Sequence, residues 1–538
     1  MISVLEKNPL TSLLLVVSVM LFIHLDIPNI TIMEARNFIT MREMLQDNHW
    51  LLTTMNGQPR YEKPPLPTWI TSIAGILFGA KNIWALRLPA VMMVYISGVF
   101  TYLISIKLNL SKQYSFINAL IAITSFYVFA IINEAPWDIY AHAFTLITIY
   151  YLIGIFQSKT PLIKKGILAG FFMACSILSK GPVSIVALLI PFLISYGIVF
   201  KFGPLRKNWI PLLYTFFIAL TLGLSWYVYI KMVDPLNFTA ISKEEVNNWT
   251  QYNTRPLYYY WSFFIQSGIW TIPALISLCF PYILKKTRHK KIYTFTFLWT
   301  MTAVIILSCI PEKKARYLMP VLIPLALNTG IYIQYLMRSF NSMEAFWEKL
   351  VVYIGFGSIA LIGLISPLFL YYILSTSSDA NWTAGILLAI TLFGSSILII
   401  YYLKKKEIHG VFYTVVFFMV SLLFFGLPIT RSIPKNPAFN SISKLHTLEE
   451  SHAIKSYTYK TISPELIWGY GDIIKELGSA QFLSKETSYG LLVQQNELAH
   501  FKASLPKHLK VDKKAIYNHN IFTKQNTRLI VHYFIISK

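Results

Sequence analysis

The sequence is short of charge and of cysteine for its length. Only 13% of the 538 residues are charged, whereas 55% are hydrophobic. A soluble chain of this size would form several domains with charged surfaces, so this composition excludes a soluble enzyme and a disordered chain. The three cysteines all lie in apolar runs and show no spacing typical of a disulfide scaffold or a metal site.

Two further absences narrow the class of protein. The sequence contains no glycine-rich nucleotide-binding loop, so we expect no ATP to be used. It also contains no internal repeat, which weakens the case for a transporter built from inverted repeats.

The sequence contains many long apolar runs. Many have no charge over about 18 residues, the length that crosses a bilayer. The sequence therefore predicts a polytopic α-helical membrane protein with about 13 transmembrane helices. The predicted spans lie near 10–25, 85–107, 113–131, 138–157, 166–179, 183–200, 209–231, 261–284, 292–310, 317–337, 350–374, 383–403 and 411–428.

The net charge of +23 comes from 47 Lys and Arg against 24 Asp and Glu. Nucleic-acid binding is the alternative reading, but in a membrane protein basic residues collect in cytoplasmic loops. With an uncleaved first helix and residue 1 inside, the C-terminus is predicted to lie outside. The inside loops then carry Lys107, Lys112, Lys159, Lys164, Lys165, Lys201, Arg206, Lys207, Lys285, Lys286, Arg288, Lys290, Lys291, Arg338, Lys349, Lys404, Lys405 and Lys406.

This topology divides the chain into residues 1–430, the transmembrane domain, and 431–538, an extracytoplasmic domain. The outer face has two large loops, about 26–84 and 232–260, and the apolar stretch 66–80 is predicted to be an interfacial helix. Alternating patterns at 454–459, 489–493 and 529–536 predict strands, and 464–477 predicts a helix. The tail is thus predicted to be a small α/β domain.

A charge near hydrocarbon costs several kcal/mol unless it has a partner or a function, so charged clusters carry the most information. The first follows span 1. Glu34 is a candidate general base, and Phe38 and Arg42 share a helical face. An amphipathic surface helix with ordinary ion pairs is the alternative, and for this cluster alone we favour it.

The second cluster runs from Arg60 through Tyr61, Glu62 and Lys63 into Pro64, and its prolines predict a rigid turn. A polar site and a simple helix-entry turn both fit. The third cluster places Glu134 and Asp138 in the short loop before span 4, where Asp138 is either a functional carboxylate or a helix N-cap.

The fourth cluster is basic, although it lies on the predicted outer face. It joins the Lys180-Gly181-Pro182 turn to a later group, which comprises Lys313, Lys314, Arg316 and Tyr317. A lipid-linked phosphate is the simplest compensating charge, because Arg offers a bidentate fork and Lys a point charge. Snorkelling towards headgroups is the alternative.

The order of these motifs resembles the GT-C membrane glycosyltransferases, in particular the lipid A aminoarabinose transferase and protein O-mannosyltransferase families. The motifs are Glu-x-Arg at 34–36, Glu-Lys-Pro-Pro at 62–65, the acidic loop, Lys-Gly-Pro at 180–182 and Lys-x-x-Arg-Tyr at 313–317. Residues 60–65 with Asn56-Gly57 are the most specific part, and the resemblance covers about residues 1–340 in detail.

The resemblance implies transfer of a sugar from a polyprenyl-phosphate donor to an acceptor outside the cytoplasm: lipid A, another glycan or a protein. It implies inversion at the sugar carbon and a multi-pass protein of the bacterial inner membrane with a periplasmic C-terminus. The implied catalytic carboxylates are Glu34 and Asp138. The implied substrate-binding residues are Arg36, Tyr61, Glu62, Lys63, Lys180, Arg255, Lys313, Lys314, Arg316 and Tyr317.

The sequence departs from the family at three positions. Met33 and Asn37 stand where relatives often have Asp and Tyr, so Glu34 is the carboxylate left to take the role of the family's acidic residue. Some relatives hold a divalent metal with the glutamate that matches Glu62 and a histidine that matches Asn253, so no metal is predicted with certainty. Two alternatives stay open: a flippase or transporter for a lipid-linked sugar, and a glycan ligase or polymerase.

Overall fold

The computed structural model of the protein describes residues 2–125, 129–130, 132, 136–202, 205–377, 379–477, 488–506, 508–522 and 526–537. The acidic residue Glu134 of the third cluster lies outside these residues.

The described elements are mostly helical. The helices up to the second predicted outer loop are α1 Ile2–Lys7, α2 Pro9–Val17, α3 Ile32–Gln46, α4 Leu66–Phe78, α5 Ile83–Lys107, α6 Lys112–Ile123, α7 Pro136–Phe156, α8 Ile163–Lys180, α9 Ile190–Phe200, α10 Leu205–Val233 and α11 Pro235–Gln251. The later helices are α12 Thr271–Ser277, α13 Phe280–Lys286, α14 Lys290–Cys309, α15 Met319–Ser339, α16 Phe346–Ser375, α17 Trp382–Lys404, α18 Ile408–Ile429, α19 Leu445–His452, α20 Pro464–Tyr470 and α21 Leu498–Ser504.

Strands and short turns complete the elements. The strands are β1 Thr54–Met55, β2 Gln58–Pro59, β3 Ser456–Thr458, β4 Ser488–Gln494, β5 Lys510–Asn518 and β6 Ile530–Ser537. Two π-helical segments precede or extend longer helices, Ser18–Phe22 and Ile185–Leu189. Three 3₁₀ segments flank the polar residues discussed below, Leu257–Tyr260, Phe263–Trp270 and Ala315–Leu318.

The prediction of a polytopic α-helical membrane protein is confirmed. Within the described residues, eight helices are long and apolar enough to cross a membrane: α5, α7, α10, α14, α15, α16, α17 and α18. A bent pair, 257–277 with 280–286, turns by 82° and would make a ninth span. The exact count of 13 stays a prediction, because the predicted span at 113–131 lies partly outside the described residues and the other remaining spans correspond to helices that are too short or too charged for that test.

The transmembrane helices differ in how much of their length is buried inside the protein. The span that contains α15 is 94% buried, whereas α16 and α17 are only one-third buried although both are strongly apolar. Exposed apolar helices of this kind suit contact with lipid, since hydrocarbon tails solvate them as well as protein does. Compact unit 1 contains these helices and covers residues 1–28, 61–374 and 381–431.

Unit 2 covers residues 29–60, 375–380 and 432–538 and contains the predicted strands. Its four-stranded sheet has the order β3-β4-β6-β5, with β3 parallel to β4 and the other pairs antiparallel. Alternation along β4 buries Leu491 and Val493 on one face and Leu492 on the other, so both faces of the sheet carry a core. The small C-terminal α/β domain is confirmed, and its limits at 430 and 431 stay a prediction.

Helix α3 belongs to the same compact unit as the sheet. Phe38 packs against Trp468 with ring centroids 5.4 Å apart. The Asn56 side chain exchanges two hydrogen bonds of 2.8 Å with the backbone of Ile474. The segment between spans 1 and 2 and the tail are therefore joined by specific polar and aromatic contacts.

The structure corrects two local predictions. The helix predicted over 464–477 ends at Tyr470, because Gly471 adopts a left-handed conformation that terminates it. The second predicted outer loop, 232–260, contains the regular helix α11, which has no buried residue.

Candidate active site

The central polar contact of unit 1 joins two adjacent helices. Asp138 lies in the first turn of α7, and Lys180 is the last residue of α8. The two helices run side by side in opposite directions, so these ends meet and Asp138 forms an ion pair with the Lys180 ammonium. Their side chains are only 4% and 10% exposed. Asp138 thus has a specific charged partner as well as the helix-terminal position that its alternative reading predicts.

Local chain geometry holds Lys180 in place. Gly181 directly follows with a φ of 64°, a conformation that costs glycine little and that ends α8 at the lysine. One turn beyond Asp138, His142 is buried, and its Nδ1 lies 2.8 Å from the hydroxyl of Ser184. This hydrogen bond connects α7 to the segment that follows Gly181. It therefore fixes the backbone near both Asp138 and Lys180.

The basic loop before α15 lies next to this pair. The Lys180 ammonium sits 5.1 Å from the ring centroid of Tyr317, within cation–π range. The Tyr317 hydroxyl donates a 3.3 Å hydrogen bond to Glu312, and Glu312 in turn forms an ion pair with Lys314. Asp138 and Lys180 are thereby linked to the Lys-x-x-Arg-Tyr motif.

Arg316 contributes an unused hydrogen-bond donor to this region. Its guanidinium carbon lies 5.8 Å from the Tyr317 ring centroid, and its charge acts on Lys180. Its Nε is buried and has no hydrogen-bond partner within the described part of the chain. A buried unpaired donor is costly, so an anion that reached this nitrogen would find a favourable position.

Lys313 has a different role from its neighbours. Its side chain is buried, and its ammonium donates to the carbonyl oxygens of Arg255, at 3.0 Å, and Ile310, at 2.6 Å. The Asn253 amide donates a 2.7 Å hydrogen bond back to the Lys313 carbonyl. This geometry makes Lys313 a brace between two loops, and its predicted phosphate contact stays a prediction. Burial lowers the pKa of Lys313.

The neighbouring Tyr260 braces the same loop. Its hydroxyl accepts from the backbone N–H of Lys314 at 3.0 Å and donates to the carbonyl of that residue at 3.1 Å. Lys314 is therefore fixed at its backbone, while its ammonium stays with Glu312 and lies 5.2 Å from the Tyr252 ring.

The Arg60–Pro65 motif supplies a third group of polar residues. Lys63 lies 3.6 Å from Glu245 on α11, in a partly exposed ion pair, and its charge acts on Lys180. Tyr61 is buried, donates a 2.9 Å hydrogen bond to Asp234 and packs edge-on against Trp226. Burial, helped by Asp234, raises the pKa of Tyr61, so its hydroxyl stays a donor.

Two predicted residues are exposed. Glu62 and Arg255 both present their side chains to solvent, and the Arg255 backbone donates to the Pro311 carbonyl at 3.2 Å. Their predicted contact with substrate therefore stays a prediction.

Glu34 and Arg36 lie on α3 in unit 2. The Glu34 carboxylate accepts from the Thr31 backbone N–H at 3.1 Å, and Thr31 accepts from the Glu34 N–H, which forms a complete capping box. The Arg36 Nε is buried with no hydrogen-bond partner among the described residues, and its carbonyl accepts from Arg60 at 2.6 Å. Glu34 thus has a structural function, and its role as a base stays a prediction.

The side chains present give little support to a metal site. Among the described residues, no three His, Cys, Asp or Glu side chains come close enough to share a metal ion. Asn253 stands where some relatives have a histidine ligand, and Glu62 is exposed. We derive no step through a metal.

Sequence reasoning missed the partners of the predicted cations. The carboxylates of Glu312, Glu245 and Asp234 all contact predicted site residues. Tyr260, by contrast, is one of three tyrosines that the sequence placed beside the site with Arg255. Only Glu312 carried a local signal, since it lies one residue before Lys313.

Known proteins resemble this chain in both sequence and fold. Residues 62–227 match the family model described as "Dolichyl-phosphate-mannose-protein mannosyltransferase". An "Uncharacterized protein" of Aquifex aeolicus is 26% identical over 320 residues, which are 58% of this chain and 61% of that protein. The "Undecaprenyl phosphate-alpha-4-amino-4-deoxy-L-arabinose arabinosyl transferase" of Photorhabdus laumondii is 23% identical over 319 residues, which are 55% of this chain and 53% of that protein.

The solved structures extend the similarity over the whole chain. ArnT from Cupriavidus metallidurans in the apo state has a TM-score of 0.67 at 14% identity and covers 99% of this chain and 98% of its own. The same protein bound to undecaprenyl phosphate has a TM-score of 0.64 at 13% identity, with coverage of 98% and 97%. The chain resembles the GT-C aminoarabinose transferases. It spans between half and two-thirds of the length of the two curated relatives, and at this identity the solved structures show the fold alone.

Proposed function

We propose that this protein is an integral-membrane glycosyltransferase that moves a sugar from a polyprenyl-phosphate donor to an extracytoplasmic acceptor. One observation carries the proposal. In unit 1, Asp138, Lys180, Tyr317 and the basic loop beside them form one connected polar cluster at the ends of membrane helices. The cluster also contains an unpartnered guanidinium nitrogen, the Nε of Arg316, which suits a phosphate oxygen.

The comparisons support the same chemical class. The fold is shared with ArnT, which has been solved with undecaprenyl phosphate bound, and a curated relative is named for transfer from an undecaprenyl-phosphate sugar. For this chain we infer that Lys180, Arg316 and Lys63 hold the donor phosphate, with Lys314 behind them.

The cations would act on the bond that breaks. As the acceptor oxygen attacks the sugar carbon, the bond from that carbon to the phosphate oxygen breaks, and the electron pair leaves with the polyprenyl phosphate. Negative charge grows on the phosphate during this step, and preorganised cations stabilise the transition state more than the ground state. Attack opposite the leaving phosphate inverts the sugar carbon.

Asp138 is our first choice for the base that accepts the proton of a hydroxyl acceptor. In the free protein its carboxylate pairs with Lys180. A phosphate that binds Lys180 competes for this ammonium, so donor binding would release the carboxylate for the acceptor. Glu34 is the second candidate. A phosphate acceptor would bring no such proton and would need only positioning.

Purified full-length protein in proteoliposomes would test the proposal. Undecaprenyl-phosphate 4-amino-4-deoxy-L-arabinose and lipid A are the first pair to assay, with other sugars and acceptors next. Loss of one charge-assisted hydrogen bond in K180A should lower kcat/KM for the donor by about 10- to 100-fold, with less effect on the acceptor KM. The matched control is K81A, which removes an exposed lysine from the turn between α4 and α5. Equal effects on donor and acceptor would argue against a phosphate clamp.

The cellular setting follows from the same proposal. We place the protein in the bacterial inner membrane, with the C-terminal domain and the cation cluster on the periplasmic side. Lipid A, another glycan and a protein remain the candidate acceptors, and comparison of envelope lipids and glycoproteins by mass spectrometry, with and without the protein, would distinguish them.

A further inference from the structure

Three helix ends meet at the opposite end of α7 from Asp138. Lys107 is the last residue of α5, Gly154 lies two residues before the end of α7, and Lys165 lies in the first turn of α8. Sixteen residues of helix separate Asp138 from Gly154, which corresponds to about 24 Å along the axis. This second group of charges is thus nearly a bilayer core away from the candidate active site, and the proposed reaction does not use it.

The two lysines bring like charges together. A Cβ built on Gly154 would lie 2.7 Å from the Lys107 nitrogen and 3.2 Å from the Lys165 nitrogen. The two ammonium groups are therefore no farther apart than the sum of these distances, about 6 Å, and they repel each other. Lys107 donates a 2.7 Å hydrogen bond to the Tyr150 carbonyl. No carboxylate forms an ion pair with either lysine within the described ranges.

Gly154 keeps the space between the lysines open. Both ammonium groups lie closer to the Cβ position of any other residue than an ordinary contact allows, so a larger residue would displace them. The helix C-terminus explains one cation here, because its carbonyls attract positive charge. It does not explain why two cations converge on one glycine, and an anion between them would relieve their repulsion.

An aromatic surface continues from the cations along the same helices. The Lys107 ammonium lies 3.6 Å from the Tyr150 ring centroid, and Tyr150 contacts Phe100 on α5 and Tyr151. Tyr151 stacks against Phe172 on α8 at 6.3 Å. Tyr150, Tyr151 and Phe172 are all partly exposed, so this row is open to an apolar chain.

Exposed aliphatic residues extend the apolar surface. Ile167 and Leu168, one turn along α8 from Lys165, are 41% and 38% exposed, and Phe171 is 46% exposed. A pair of cations beside an exposed apolar strip matches a phospholipid, whose phosphate and acyl chains lie in the same order.

The geometry points to a binding site for the phosphate of an anionic membrane phospholipid, formed by Lys107, Lys165 and the open space at Gly154, with the acyl chains along the aromatic row. By the predicted topology this site faces the cytoplasmic leaflet. It is independent of the proposed catalytic function.

The test is retention of phosphatidylglycerol by the purified full-length protein, measured by native mass spectrometry after exchange into detergent. Phosphatidylcholine with the same acyl chains is the reference lipid. We expect preferential retention of phosphatidylglycerol, reduced about fivefold in K107Q and in K165Q, the effect of one basic residue at an anionic headgroup. The matched control K164Q removes the adjacent exposed lysine and should leave retention unchanged.

A second variant and a second ligand complete the test. G154A keeps both charges but fills the space between them, and it should also reduce retention; the thermal midpoint of each variant checks its folding. Equal retention by K107Q, K165Q and K164Q would overturn the proposal. Displacement of phosphatidylglycerol by millimolar inorganic phosphate would assign the lysines to a free anion, and would overturn the lipid proposal as well.

Discussion

The Asp138–Lys180 pair allows a quantitative test of the site. Both side chains are almost fully buried, so removal of one leaves the other as an unpaired charge in a low-dielectric environment. Lys180→Met should therefore lower the free energy of unfolding by about 3–5 kcal/mol, and Asp138→Asn by a similar amount. Loss of the contact between Lys180 and the Tyr317 ring adds about 0.5–2 kcal/mol to the first value.

The double variant makes the prediction sharp. With both charges gone, no unpaired ion remains, so D138N/K180M should lose less stability than either single variant, with a coupling energy of at least ~2 kcal/mol. The free energies would be measured by SDS titration in mixed micelles. The control is K63M, because the Lys63–Glu245 pair is 25% and 32% exposed and such pairs contribute about 0–1 kcal/mol. Additive effects of D138N and K180M would refute the pairing.

Three further predictions concern the capping box, the loop brace and the tail domain. Glu34→Gln should keep the capping box, since Gln also serves at this position. If Glu34 is the base, the transfer rate should fall about 10²–10⁴-fold with an unchanged thermal midpoint. Full activity of the variant would show that Glu34 acts only as a helix cap. Lys313→Met should lower the free energy of unfolding by about 1–3 kcal/mol, because two buried carbonyl oxygens lose their hydrogen bonds. The donor KM should stay unchanged. A raised donor KM would instead indicate that Lys313 binds the donor phosphate. Burial lowers the pKa of His519 to about 4. The stability contributed by the neutral, buried His519 is therefore complete above its unfolded-state pKa near 6.5 and is lost as the pH falls towards 4. The free energy of unfolding should decrease by about 3 kcal/mol in total over this range. Hydrogen exchange at Ile442, whose N–H donates to His519, should quicken over this range after correction for intrinsic rates, and H519Q should remove the effect.

The transmembrane helices could be predicted because their signal is local. A run of about 20 apolar residues satisfies its own backbone and matches the bilayer, whatever its neighbours are. Helix α11 was missed for the converse reason: it is polar, has no buried residue and lies in a stretch read as a loop. The edge strand β5 was missed because Lys510, Lys513 and Lys514 break the alternating pattern, although such charges are typical of sheet edges.

The chemistry of the site could be predicted in part. A cation on the predicted outer face is unusual, and this argument alone selected Lys180, Lys314 and Arg316. The Asp138–Lys180 pair could not be predicted, because it forms only through the packing of two separate helices. Glu312 lies two residues before its partner Lys314, so that pair had a signal in the sequence. The capping role of Glu34 was visible in the sequence, since Thr31 precedes it by three residues.

The charge balance of the cluster bears on catalysis. Within the described residues, this cluster consists of three ion pairs, Lys63–Glu245, Lys180–Asp138 and Lys314–Glu312, and of the charge of Arg316, so that four cations face three carboxylates. The buried Lys313 is held separately, by carbonyl oxygens. A sugar-phosphate-lipid is a diester with one negative charge, whereas the departing polyprenyl phosphate is a monoester that carries about 1.5 to 2. In the proposed reaction, the excess cation would bind the departing phosphate more strongly than the donor, which would lower the barrier to bond cleavage. A buried ion pair adds little stability compared with apolar residues, so stability alone does not explain a buried Asp138–Lys180 pair, whereas the proposed exchange of partners on donor binding gives both charges a function.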